Sequence, residues 1–349
     1  MKTIFLSATS TDSGQTLLAW LLARELDAGG HKVGLYRPIG IRGSEAGEDH
    51  LLSLVFAAMG GRLAGSPVSP VLVDADGGLD PDMAKVCFQK AERAFNDLKG
   101  QCDVCLVVGS RDVFHDVDQS ALPDSAFIDL FDAKVILLDR FRTKSMTVYS
   151  SLALSSFLGD RLAGVIINRV PFAQFDEFSG HLLPDLQNKG AKIFAALPED
   201  LTIHSPTLED IALLTGARFL CGDAKKDDLV AAKSISWPGL RGRLAILKRV
   251  VNKIILCGGN ETQLDRCSLE SLSGLLLTGG RVPPQAVIDA AESMGMAVML
   301  TDLDTYSALE KLDKPHSYLK ASDVFKLERL RQLLETQVSV ESILKACGV

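Results

Sequence analysis

The sequence has no long hydrophobic run. Its apolar stretches fall well short of the ~20 residues that cross a bilayer, so neither a spanning helix nor a membrane partner is expected. It has no excess of positive charge. A net charge of −7 argues against general binding to nucleic acid or anionic membrane. Its seven cysteines are odd in number and follow no repeating spacing, which suits reduced thiols and a cytoplasmic protein rather than a disulfide framework. Cys102-x-x-Cys105 has no second pair to complete a metal site. An offset of three on a strand would point the two side chains to opposite faces, so metal or redox use is not expected. Signal-peptide layout is lacking too: Met1-Lys2 leads straight into an apolar strand. There is no low-complexity tract.

One further absence is local. The strand Ile4-Phe5-Leu6-Ser7 runs into the small, polar turn Ala8–Ser13, and Gly14-Gln15-Thr16 then opens the apolar helix Leu17–Leu22. Strand, polar turn, Gly-x-Thr and helix form the pattern of a phosphate-binding loop. Backbone N–H groups at the helix N-terminus hold phosphate, and the Ser/Thr hydroxyl holds magnesium. The lysine such a loop carries after its glycine is here Gln15. A glutamine donates a hydrogen bond but brings no charge. The candidate phosphate-binding residues are Thr11, Asp12, Ser13, Gly14, Gln15 and Thr16, with Thr16 also a candidate magnesium ligand. The competing reading is an ordinary βα turn, which favours the same residue types.

At 349 residues the chain is long enough for two domains. Apolar strands alternate with helical patterns, which predicts a parallel, doubly wound α/β sheet. The expected strands are Thr3–Ser7, Val33–Tyr36, Val104–Val108, Val135–Leu138, Gly164–Ile167 and Ile193–Ala196, with Ala217–Leu220 as a further one. Gly29-Gly30 reads as the stop of the first helix. The charged stretch 223–228 reads as a linker between domains 1–222 and 229–349. The second domain is expected to hold strands at Lys253–Cys257, Gly274–Thr278 and Ala297–Leu300, with helices at 284–294, 306–311 and 321–335.

Further candidates sit at strand ends. Arg37 follows the second strand, where it faces a ligand crevice and could restore charge missing at Gln15; the alternative is a turn arginine. Asp49 precedes a helix and suits either magnesium or an N-cap. The central strand ends in Val108, which cannot bind a cation, leaving Asp112 as a substitute acid. Asn168 follows a later strand, where its amide could read a base edge or shape a turn.

In this order the residues resemble dethiobiotin synthetase. Thr9, Thr11, Gly14, Thr16, Pro38, Asp49, Gly109, Asn168 and Arg169 agree with that family's pattern. Ala8, Gln15, Arg37 and Val108 depart from it, replacing a glycine, the loop lysine, a second lysine and the metal-binding glutamate. Most of the chain is similar to the dethiobiotin-synthetase-like N-terminal region of long bacterial phosphotransacetylases, followed by a DRTGG domain. The carriers are Leu197-Pro198-Glu199-Asp200, Ser205–Ala212, Gly274–Gly280 and Thr301–Tyr306, while Cys257–Thr262 stands where the naming motif would be.

The resemblance implies a P-loop NTPase-like doubly wound parallel sheet with a second, smaller α/β (DRTGG-like) domain. It implies ATP or another nucleotide with magnesium as ligand, a nucleotide-sensing regulatory role, a homo-oligomer carried by the second domain, and a partner metabolic enzyme. The phosphotransacetylase catalytic domain would follow Val349, so acetyl transfer is not expected. Loss of the lysine and glutamate predicts no turnover. The rival readings are an ATP-dependent ligase of the dethiobiotin or cobyrinic-acid-diamide class, and a structural module for a partner enzyme.

Overall fold

The protein is described from a computed structural model, for residues 1–10, 13–42, 49–65, 69–73, 81–109, 113, 122–235, 253–258, 272–313 and 319–349. Contacts divide the chain into two compact units: Met1–Asp200 with Leu319–Val349, and Leu201–Tyr318.

The first unit begins β1 (Lys2–Ala8), α1 (Gln15–Ala28), β2 (Val33–Tyr36), β3 (Ile39–Ile41), α2 (His50–Ala58), β4 (Val71–Val73), α3 (Pro81–Leu98) and β5 (Val104–Val108). It continues α4 (Asp124–Leu130), β6 (Lys134–Arg140), α5 (Lys144–Leu158), β7 (Leu162–Val170), α6 (Phe172–Glu177), α7 (Leu183–Asn188) and β8 (Ile193–Pro198). The main sheet has the order β2-β5-β1-β6-β7-β8, and every pairing is parallel. β3 and β4 pair separately. Both faces of the sheet are covered, which is why its central strands are continuous apolar runs: β5 is buried at every residue. One face packs around Tyr36, Phe95, Phe127 and Phe131, and the Tyr36 hydroxyl donates to Ala91 O at 2.7 Å. All six strands expected here are present, and α1 ends at Gly29-Gly30 as the glycine pair predicts.

In the second unit the order is α8 (Leu201–His204), α9 (Leu208–Thr215), β9 (Arg218–Cys221), β10 (Ala232–Ile235), β11 (Lys253–Gly258), β12 (Leu272–Thr278), α10 (Gln285–Ser293), β13 (Ala297–Leu300) and α11 (Thr305–Asp313). Its sheet runs β10-β11-β12-β13-β9; β9 pairs antiparallel with β13, and the other described pairings are parallel. The run expected at 217–220 is therefore a strand, but it lies beside β13 in the second sheet rather than extending the first.

The units divide elsewhere than at the expected linker. Residues 223–228 are held to the start of α9 by Leu208 N→Asp228 O at 3.1 Å and Glu209 N→Lys226 O at 2.9 Å. Gly222 has φ +79°, and a Cβ there would come within 2.6 Å of Ala297 Cα, so this turn is packed against β13. The expected second domain also loses its end. Two helices, α12 (Val324–Glu335) and α13 (Val340–Ala346), pack on α1, β7 and β8 of the first unit. Arg24 bonds Glu328 at 2.7 Å, and Arg329 Nε bonds Asp200 at 2.8 Å. Gln337 lies along the edge strand β8. Its Oε1 accepts from Ala196 N at 3.0 Å while its Nε2 donates to Ala196 O. One side-chain amide thus occupies both backbone groups of an edge residue.

The Cys102–Cys105 geometry differs from expectation. β5 starts at Val104, so Cys102 lies outside the strand and strict alternation does not apply. Both thiols are buried, and Cys102 Sγ donates to Leu98 O at 3.7 Å. The neighbouring Cys102 thiol and burial raise Cys105 well above an ordinary thiol, while the neighbouring Cys105 thiol lowers Cys102. Among the described residues no cluster of His, Cys, Asp and Glu is arranged to hold a metal, and no helix is long and apolar enough to cross a membrane.

Candidate functional site

β1 lies near the centre of the first sheet. The chain leaves it toward β2 on one side and leaves its neighbour β6 toward β7 on the other. The strand ends between β1 and β6 therefore form the crevice where open α/β sheets bind ligands. The β1–α1 loop sits there. Thr9 N donates to Leu138 O at 3.1 Å, and Thr9 Oγ1 donates to Asp139 Oδ1 at 2.7 Å, tying the loop's start to the end of β6.

Gly14 is the N-cap of α1, with φ +99°, a conformation glycine adopts without strain. Among the described residues no side chain caps the helix, and the first intrahelical bond is Leu18 N→Gly14 O. The amides of the first turn, from Gln15 onward, are thus available to an anion. Ser13 is buried, and its hydroxyl donates to Ser10 O at 2.7 Å. Thr16 is half-buried in the first turn of α1. Thr11 and Asp12 lie outside the described residues.

Gln15 Nε2 donates to Leu6 O, 2.9 Å away in β1. The side chain in the lysine's place is thus turned back onto its own strand. Asn168, at the end of β7, turns its amide onto the loop. Nδ2 donates to Ser13 O at 2.9 Å and Oδ1 accepts from Arg169 N at 2.8 Å. A Cβ on Gly14 would stand 2.9 Å from that Nδ2, so Asn168 is packed directly against the loop. Arg169 itself has φ +62°, an uncommon value for a non-glycine residue.

Arg37 is not a surface residue. It is 2% exposed and pairs with Asp49 at 3.2 Å. Asp49 caps α2, with Oδ1 accepting from Leu51 N and Leu52 N, and Oδ2 accepts from Ile41 N at 3.1 Å. Of the two roles open to Asp49, the geometry describes the helix cap. Asp112 lies outside the described residues.

Two buried acids flank β1 that sequence reasoning did not single out. Asp139 is fully buried and accepts hydrogen bonds from Thr9, Ser150 and Ser151. Burial pushes its pKa above the ordinary carboxylate value, against the pull of the hydroxyls and Arg142. Asp124, in the first turn of α4, is 2% exposed and accepts from Ser7 Oγ at 2.6 Å. A Cβ on Gly109 would stand 2.1 Å from the same carboxylate oxygen. An acid thus lies at the joined ends of β1 and β5, one residue beyond Val108, but it comes from a helix rather than from the strand.

Comparisons with known proteins divide the chain in the same sense. The family model described as an AAA domain matches residues 2–207, and the DRTGG domain model matches residues 210–314. Curated relatives include the phosphate acetyltransferases of Nitrosomonas europaea, 21% identical over 376 residues, and Pseudomonas putida, 23% identical over 370. Each alignment covers 100% of this chain and 52% of the relative, so the chain spans about half the length of these relatives. Among solved structures, MinD from Pyrococcus horikoshii complexed with Mg-ADP is 16% identical, covering 58% of this chain and 83% of its own at a TM-score of 0.33. The CBS and DRTGG domains of the Clostridium perfringens pyrophosphatase regulatory region, complexed with diadenosine tetraphosphate, are 18% identical, covering 36% and 54% at a TM-score of 0.26. With the parallel six-stranded sheet and its β1–α1 loop, the chain belongs to the AAA-domain family, as a dethiobiotin-synthetase-like P-loop domain followed by a DRTGG domain.

Proposed function

We propose that this chain is a cytoplasmic nucleotide-responsive regulatory protein, whose first unit binds a nucleotide or another small anion without turning it over. The observation that carries the reading is the loop itself. Among the described residues no side chain caps the first-turn amides of α1, while Gln15, in the lysine's place, is neutral and bonded to Leu6 O. On this reading the backbone half of a phosphate site is kept and the lysine's charge is lost. Phosphoryl chemistry depends chiefly on positioned positive charge, so binding outlasts catalysis when that charge goes. Thr16 is the residue we assign to magnesium, since the Asp49 oxygens accept from amides and pair with Arg37. The DRTGG unit supplies the regulatory half of the reading. The named relatives make a metabolic acetyl-transfer enzyme the class of partner to be regulated.

The test is a nucleotide panel on the full chain, scored by thermal shift with and without magnesium, beside ATP hydrolysis. A shift that weakens in Thr16→Ala is expected, with hydrolysis no greater than in that variant. Turnover abolished by Thr16→Ala would sink the regulatory reading. One observation favours that outcome: Asp124 places a carboxylate at the β5 end that Val108 cannot supply. The chain would then be an ATP-dependent ligase of the dethiobiotin or cobyrinic-acid-diamide class. No shift with any nucleotide would leave a structural module that assembles with its partner enzyme.

A further inference from the structure

No residue from Ala8 to Thr16 is a cation, but the strand beside that loop ends in one. β6 closes on Asp139-Arg140, and in a strand two successive side chains take opposite faces of the sheet. The packing says which face each takes. Val135 and Leu137 lie in one core cluster with Leu154 and Leu158 of α5. Asp139 continues that row, accepting from Ser150 and Ser151 of the same helix. Leu138 takes the other face. A Cβ on Gly14 would stand 3.8 Å from Leu138 Cδ2, so this second row runs beneath the N-cap of α1. Arg140 is its next residue, about 7 Å further along the strand toward the open end of the crevice.

The loop lies to one side of Arg140 and Asn168 to the other. Thr9 N donates to Leu138 O, which carries the start of the loop along the end of β6. On the far side Arg140 pairs in register with Asn168 of β7, and Phe141 N donates to Asn168 O at 2.8 Å. Asn168 in turn donates to Ser13 O. Arg140 thus stands between the two contacts that hold the loop, and it is half-buried there. The other basic residues at these strand ends are placed differently. Arg37 follows β2, which β5 separates from β1, and Arg169 turns to Glu199. Arg142 and Lys144 lead into α5, which covers the opposite face. Backbone amides at a helix N-terminus carry only partial charge, so a phosphate seated on them gains from a full one. A guanidinium suits the place: its charge is permanent, and its planar fork donates to two phosphate oxygens at once.

We propose that Arg140 is the phosphate-binding cation of this site, supplied by the neighbouring strand in place of the loop lysine. The assignment rests on the reading of the first unit as a binder of a nucleotide or another anion. It adds the group that is recognised: the phosphoryl chain, rather than a base or a ribose.

Calorimetric titration of the full chain with ATP and with inorganic tripolyphosphate tests it, on the wild type, Arg140→Gln, Arg140→Lys and Arg142→Gln. Arg140→Gln should weaken both ligands alike by about 10-fold or more, the loss expected of a charge-assisted hydrogen bond. Arg142→Gln removes the same charge two residues away, from an exposed side chain, and should change either affinity by less than about 3-fold, because salt screens it. Arg140→Lys keeps the charge without the fork and should fall between. Tripolyphosphate affinity should drop with added salt more steeply in the wild type than in Arg140→Gln, a difference that a merely structural arginine would not give. On the unaltered protein, tripolyphosphate should protect Arg140, and not Arg142, from modification by phenylglyoxal; that measurement decides the matter should Arg140→Gln fail to fold. A wild type that binds ATP beside an Arg140→Gln that binds it equally well overturns the proposal and leaves the anion-binding reading standing. So do equal losses in Arg140→Gln and Arg142→Gln, or a loss for ATP with none for tripolyphosphate. A wild type that binds neither ligand also overturns it, and the reading of the unit falls too when the wider nucleotide panel gives no shift.

Discussion

Gln15 is a neutral donor where phosphate chemistry calls for a cation. A lysine at this position has three donors, so it can keep the bond to Leu6 O and still reach a phosphate. Gln15→Lys should therefore tighten nucleotide binding by about 1–2 kcal/mol, or about 5–30-fold, the increment of a charge-assisted over a neutral hydrogen bond. Calorimetric titration of both proteins measures it. Equal affinities would mean that the Leu6 contact holds the side chain out of reach of the ligand. The loop was legible in the sequence because its parts are local: strand, glycine, threonine and helix within one turn of chain. Asp124 and Asp139 were not. They meet the loop strand across 117 and 130 residues, through Ser7 and Thr9, and no periodicity reports such a contact. Asn168 and Arg37 were legible as residues at strand ends; that Asn168 Nδ2 donates to Ser13 O and that Arg37 pairs with Asp49 were not, because those partners lie far along the chain or in a loop that no periodicity reports.

At the scale of elements, the buried strands were readable because a parallel sheet covered on both faces is apolar along its whole length. What pattern could not assign was the home of an amphipathic helix. α12 buries Leu327, Leu330 and Leu334, a stripe that would suit either unit, and it packs on the first. Its docking is confirmed by polar contacts, among them the Gln337 side chain on β8. Gln337→Ala removes both bonds from Ala196, which is fully buried, and leaves an edge residue to find water. The expected cost is about 1–2 kcal/mol of stability, short of the full penalty because the position of Gln337 is open to solvent. Urea unfolding should show it as a lowered midpoint with an unchanged m-value. An unaltered midpoint would mean that the edge of β8 is satisfied without the glutamine.

At the scale of the whole molecule, charge misdirects the eye. The stretch 223–228 is polar enough for a linker, yet it is bonded to the N-terminus of α9. Both α9 and β9 lie before it in sequence and belong to the second unit. Leu208 and Ile211 are fully buried in one cluster with Leu276, Ala297 and Met299, and Thr301 Oγ1 donates to Thr215 O at 2.6 Å. The DRTGG match, 210–314, falls inside this unit. A fragment beginning at Leu229 would lose the strand that pairs with β13 and the helix that covers it. It would also carry α12 and α13 without the surfaces they pack on. The fragment Leu201–Tyr318 has neither defect and should fold alone with a cooperative urea transition. The fragment Leu229–Val349 should show none, because stripping α9 and β9 exposes apolar surface worth several kcal/mol, at ~25 cal/mol per Å², in a small domain of modest stability. Circular dichroism through urea titrations of both fragments is the measurement. A cooperative Leu229–Val349 beside an unfolded Leu201–Tyr318 would restore the boundary at the charged stretch and assign the C-terminal helices to the second unit.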